Sequence, residues 1–241
     1  QDRHPPSVAW GEALAGLETG PPAARPVWDA IADPPDASGL RLVLVDRPGA
    51  PQSELRIGHA AARRATPDYH ALVVLNAILG GQFVSRLNLT LRGEKGYTYG
   101  VRSAFDWRRG AGPFIVQTSV QTDATAAAAA EILREMEEIA TVRPPTWREL
   151  ELARASLTRG YARNFETAEQ IARAIVQLVV HELPDDTFDE FVEKVRGVGA
   201  EAVVDAARRY LRPAHAHVIV VGDRSRVEPA LAGLDAVEWI A

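Results

Sequence analysis

The chain has no cysteine, which excludes disulfides and thiolate zinc sites and leaves both a cytosolic and an exported location open. Long apolar runs are also missing. Ala71–Leu75 is short, and Ile171–Val180 is broken by Arg173 and Gln177, so neither approaches the roughly 20 residues of a membrane-spanning helix. There is no basic stripe: net charge is −5 and the cations are scattered among acids, which removes the electrostatic footprint of a nucleic-acid binder. The chain opens on Gln1 rather than Met, with no basic-then-apolar leader, and reads as a processed product or, preferably, a fragment of something longer.

What is present suffices for a folded domain. In 241 residues, 46% are hydrophobic, enough for a sizeable core. Residues 1–39 hold seven of the 16 prolines and read as a linker or arm, which leaves 40–241 as the domain. Leu40–Asp46 and Ser53–Ala60 read as strands joined by the turn-rich Arg47–Pro51. Thr66 is the expected N-cap of a helix that starts at Pro67 and ends at Gly80-Gly81. Ser85–Arg92 reads as a short helix. Tyr99–Phe105 and Pro113–Gln121 read as a hairpin, and the Ala-rich stretch after Asp123 as a long amphipathic helix.

Two capping boxes, Thr146/Glu149 and Thr167/Gln170, open further helices with apolar periodicity at Trp147/Leu150/Leu157/Tyr161 and Ile171/Ile175/Leu178. Pro184 stops the second of these. Phe188–Gly197 and Glu201–Leu211 form two more helices, and Ala214–Gly222 is a closing buried strand. This order lacks regular βα alternation and predicts an α+β fold, a mostly antiparallel sheet with helices on one face.

Motifs for self-contained catalysis are absent. A zinc peptidase needs two imidazoles on one helical face and a carboxylate beside them, and neither His-Glu-x-x-His nor its inverse occurs. In His181-Glu182-Leu183-Pro184-Asp185 the second His is replaced by Asp185, and Pro184 breaks the helix. His215 and His217, two apart on an expected strand, share a face, but no third ligand is evident. His59 and His70 are isolated, and Ser85 lacks both a Gly-x-Ser-x-Gly elbow and a visible partner base. No metal ligand is assigned in the chain.

One stretch is densely specified: Leu79-Gly80-Gly81, Ser85-Arg86-Leu87, Leu91-Arg92, Lys95-Gly96 and Tyr99-Gly100-Val101 follow one another within 23 residues. It resembles the second, zinc-free half of the pitrilysin, insulin-degrading enzyme and mitochondrial processing peptidase superfamily. Val45–Ser53, Pro67-Asp68-Tyr69, Leu75-Asn76, Glu149-Leu150 with Ala153, Glu166-Thr167 and Val220–Asp223 extend the resemblance over residues 40–235. Asn88 departs from it, because many relatives place an aromatic residue there.

The resemblance implies a processing-peptidase-like half that clasps peptide against a His-x-x-Glu-His half. That partner lies in the same polypeptide or a separate subunit, and it supplies the zinc. By residue, it implies that Arg92 and Tyr99 support the reaction and that Gly80, Gly81 and Phe83 face the substrate. The alternative is a non-catalytic structural or peptide-binding member of the superfamily. Simpler readings stand beside these: Arg92 in a salt bridge with Glu94, Tyr99 packed at a strand start, and the two glycines as a positive-φ helix cap. Edge addition of peptide to the first strand pair is a further possibility.

Overall fold

The computed structural model describes residues 38–231 and the backbone of 237–240. Apart from Ser38 and Gly39, the Pro-rich stretch lies outside the described residues. The strands are β1 (Arg41–Asp46), β2 (Gln52–Ala60), β3 (Val101–Phe105), β4 (Pro113–Gln121), β5 (His217–Gly222) and β6 (Val237–Ile240). They form one sheet in the order β3-β4-β2-β5-β1-β6. The β3/β4, β4/β2 and β2/β5 pairings are antiparallel, while β1 pairs in parallel with β5 and β6, so the sheet is mostly antiparallel.

Strict alternation in β2 sends Ser53, Leu55, Ile57 and His59 to one face and Glu54 and Arg56 to the other. Leu42, Leu44, Val101, Phe114, Val116, Val218 and Val220 join the same inner face. The helices cover that face. They are α1 (Tyr69–Leu79), α2 (Thr125–Glu138), α3 (Trp147–Thr158), α4 (Ala168–His181), α5 (Phe191–Gly197), α6 (Ala200–Tyr210) and α7 (Arg224–Leu231). α2 packs on β2 and β4 through Ile132 and Met136, and α1 packs against α3 and α6. Each large aliphatic side chain buried here contributes about 1.5–3 kcal/mol.

The first two strands are neighbours in sequence but not in the sheet. β5 lies between them, pairing Val43 with Ile219 and Arg56 with the same Ile219 on its other side. The connecting turn is tied to the end of β5: Arg47 N donates to Gly222 O (2.7 Å) and Gly49 N to the Asp223 carboxylate (2.8 Å). Both β1 and β2 are therefore interior strands with no free edge, so peptide cannot add to the first strand pair.

Several boundaries also differ from expectation. Pro67 belongs to a turn rather than the first helical position, so Asp68 occupies the N-cap position of α1; Thr66 Oγ1 instead accepts from Asp68 N (3.3 Å). β3 starts at Val101, two residues after Tyr99. Pro213 opens a 3-10 turn over Pro213–His215, so β5 begins at His217 and His215 does not share a strand face with it. Both capping boxes form with reciprocal bonds. α4 nevertheless buries only His181, and Ile171, Ile175 and Val179 stay 45%, 54% and 70% exposed. Its period is helical, but its apolar stripe is not part of the core.

Candidate functional site

The motif-bearing segment runs from the end of α1 to β3. α1 ends with Gly80 N and Gly81 N both donating to Asn76 O (3.0 and 2.7 Å), and Gly80 O accepts from Ser103 N (3.0 Å) on β3. Neither glycine has a positive φ, so the positive-φ cap reading fails. Their requirement is space. A Cβ on Gly80 would stand 2.6 Å from Ser103 Oγ, and one on Gly81 2.6 Å from Asn76 Nδ2 and 2.9 Å from Asn76 O.

The next residues fold into a π-helical segment, Asn88–Glu94. Asn88 is 5% exposed and fastens it: Nδ2 faces Gln82 O (3.0 Å), Ser85 Oγ (3.2 Å) and Val101 O (2.7 Å), while Oδ1 accepts from Val101 N (3.0 Å). An aromatic ring could make none of these bonds. Together, Asn88 and Gly80 occupy the outer N–H groups of Val101 and Ser103 on edge strand β3.

Arg86, also buried, ties the segment to α3. It holds Glu149 through two N–H groups (2.6 and 3.0 Å) and donates to Arg143 O (2.6 Å) and Pro144 O (3.1 Å). Burial alone would raise the Glu149 pKa, but Arg86 and the Thr146 N–H and hydroxyl outweigh it and hold the carboxyl at about 2. Sequence reasoning missed both Asn88 and Arg86 as framework. Arg86 lies inside the Ser-Arg-Leu motif and Glu149 inside a capping box, but their meeting across 63 residues has no local signal.

On this frame Arg92 is half-buried, with its guanidinium 3.8 Å above the Phe83 ring centroid. Stacking uses the guanidinium face and leaves its in-plane donors available. Among the described residues Arg92 makes no ion pair, with Glu94 or any other acid. Tyr99 is 93% exposed and not packed at a strand start. The loop beneath it is nonetheless clamped: Gly100 N donates to Thr98 Oγ1 (3.1 Å), Thr118 Oγ1 donates to Gly100 O (2.9 Å), and Gln121 N donates to Tyr97 O (3.1 Å).

An open groove of about 510 Å³ lies on this side of the sheet. Gly80, Gly81, Phe83 and Asn88 form one wall, and the outward residues of β2, β3 and β4 form the floor, including Arg56, Arg102, Gln117 and Glu54. The structure thus brings Gly80, Gly81 and Phe83 together. Arg92 joins them through its stack on Phe83, and Tyr99 adjoins them through Gly100; no hydrogen bond links Arg92 to Tyr99. The floor is polar, with Arg56 Nη1 donating to Gln117 Oε1 (2.6 Å).

The sequence profile described as "Peptidase M16 inactive domain" matches residues 8–157, more than half of the chain. The chain belongs to that family. The resemblance to the zinc-free half of pitrilysin-type metallopeptidases therefore holds for this M16 inactive domain. A solved peptidase M16 inactive domain from Pseudomonas fluorescens superposes with a TM-score of 0.72 at 23% identity, covering 80% of this chain and 47% of that one. An inactive peptidase domain from Bordetella parapertussis gives 0.61 at 18% identity, covering 72% and 93%. A chain of complex III from Candida albicans gives 0.65 at 13% identity, covering 78% and 48%. At these identities the likeness is one of fold. The M16 inactive domain spans less than half the length of the Pseudomonas chain. Comparison with curated protein sequences yields no match.

The described side chains of this M16 inactive domain form no site for a catalytic zinc. Among the described residues no group of three or more His, Asp or Glu is arranged to hold a metal ion. His181 sits at the end of α4, where Glu182 turns the backbone to φ 52° and ends the helix before a second ligand could align. Also among the described residues, no helix is long and apolar enough to cross a membrane.

Proposed function

We propose that this M16 inactive domain is the substrate-binding, transition-state-supporting half of a zinc metalloendopeptidase. It closes over a His-x-x-Glu-His half to form a chamber in which peptides are cut, and it is inactive alone. One observation carries this reading. Arg92 and Tyr99 are presented from a π-helix and a clamped loop beside a groove, and among the described residues Arg92 is not spent on an ion pair.

The chemistry suits the pair. When a peptide carbonyl is attacked, negative charge grows on its oxygen, and donors already in place in a water-poor chamber stabilise it best. Arg92 offers a permanently charged fork and Tyr99 a neutral hydroxyl on a rigid ring. The Arg92 guanidinium stacks on Phe83, and the polar floor gives peptide amides hydrogen-bond partners. The zinc of the other half supplies Lewis acidity and an activated water. Residues 40–241 carry this role, with 1–39 as a Pro-rich linker or arm.

The fold likeness to a complex III chain favours a second reading, a non-catalytic structural or peptide-binding member. A purely architectural domain has no need to leave Arg92 and Tyr99 unspent, so the first reading is preferred. Mixing this chain with a His-x-x-Glu-His half encoded upstream or nearby should produce cleavage of a quenched-fluorescent peptide that neither shows alone. A stable complex without cleavage would instead establish the structural reading.

A further inference from the structure

A second cavity, of about 770 Å³, lies between the C-terminal part of α3, α4 and α5 and shares no lining residue with the groove above. Its walls are aromatic. Tyr161 stacks on Phe191 with centroids 4.3 Å apart, Phe165 meets Tyr161 at 5.4 Å, and Phe188 meets Phe165 at 5.5 Å. Its size matches that of small-ligand sites, about 300–1,000 Å³.

Arg64 lines this cavity and is only 7% exposed. A buried cation ordinarily has a carboxylate partner, because desolvation without one is costly. Arg64 has none among the described residues. Its guanidinium lies 3.5 Å over the Tyr69 ring, which occupies the face of the group and leaves the in-plane N–H donors without a protein acceptor. Glu169, the acid on the cavity rim, is held by Arg173 at 2.6 Å, and Glu190 is paired with Lys194.

Two further basic side chains stand in the field of Arg64, and each has a buried nitrogen without a partner: His70 Nε2 and His181 Nδ1. Both imidazoles are held toward the neutral form, first by burial and then by neighbouring cations that include Arg64. The neutral imidazoles lie outside the cavity lining, so the positive charge and spare donors that the apolar, aromatic-walled cavity presents are those of Arg64.

We infer that this cavity is a binding site for an amphipathic monocarboxylate, whose carboxylate pairs with Arg64 while its apolar body lies among Tyr161, Phe165, Phe188 and Phe191. The inference is independent of the roles given to Arg92 and Tyr99. An apolar carboxylate has two sources, a free fatty-acid-type molecule and the C-terminal residue of a peptide, and one charged fork serves both.

Calorimetric titration of the full chain tests it, with decanoate and decanol compared below micelle-forming concentrations. N-acetyl-phenylalanine and its amide form the peptide-end arm. Decanoate, acetyl-phenylalanine or both should bind one to one and roughly 10- to 100-fold more tightly than their uncharged counterparts, the worth of one charge-assisted pair. The tighter of the two carboxylates identifies the source. Arg64→Met should abolish the preference for the acid. Val176→Trp changes a half-exposed cavity-lining residue on α4, so it tests the site without risk to the core, and it should weaken both acids. Equal binding of acid and neutral ligand, no binding at all, or unchanged binding in both variants would overturn the proposal.

Discussion

Single residues in this domain divide into those that build the frame and those that the frame presents. Asn88 belongs to the first kind. Replacing it with Leu keeps the volume but strands Val101 N and O and Gln82 O, so Asn88→Leu should cost about 2–3 kcal/mol in urea denaturation. Arg86 and Glu149 give a pH signature. Glu149 titrates near 2 in the folded chain against an ordinary 4.5, so its contribution is complete above about pH 4.5 and is lost as pH falls toward 2. Stability measured over that window should slope in the parent chain, and the slope should flatten in Arg86→Met. His70 acts at higher pH. Burial, then Lys194 and Arg64, bring it from 6.5 to about 4, so the unfolded chain binds its proton first and stability falls as pH drops from 6.5 to 4. His70→Gln should reduce that decline, with His59 and His181, also shifted down, supplying the remainder.

At the scale of elements, packing rather than propensity decides what a substitution does. Ile132 on α2 is fully buried, and Ile132→Ala should cost about 2–5 kcal/mol. Ile175 on α4 is 54% exposed, and Ile175→Glu should change stability by no more than about 0.5 kcal/mol. Both helices show apolar periodicity, so thermal or urea unfolding separates them where the sequence does not. What the sequence made readable was local. Thr146 with Glu149 and Thr167 with Gln170 close within three residues, and the β4 limits and the β3/β4 hairpin follow from alternation and a Gly-containing connection. The insertion of β5 between β1 and β2 was unreadable because it depends on pairing between residues as far apart in the chain as Glu54 and Val221. The helix Arg224–Leu231, opened by Asp223, and the strand Val237–Ile240 went unread for want of strong periodicity. At the proposed site, the glycines were legible as a constrained turn, but the reason for them lies in the approach of Ser103 and Asn76, which only the folded chain displays.

At the scale of the described domain, one sheet carries helices on its inner face, and a groove forms on its outer face beside the motif segment. In the proposed function, the groove with its polar floor and the adjoining Arg92 and Tyr99 form half of a composite site. The most direct test is the turnover of the enzyme reconstituted with a His-x-x-Glu-His half. Arg92→Ala and Tyr99→Phe should each lower kcat about 10²- to 10³-fold while circular dichroism and complex formation stay unchanged. Turnover at the parental level in both variants would contradict the roles assigned to this pair.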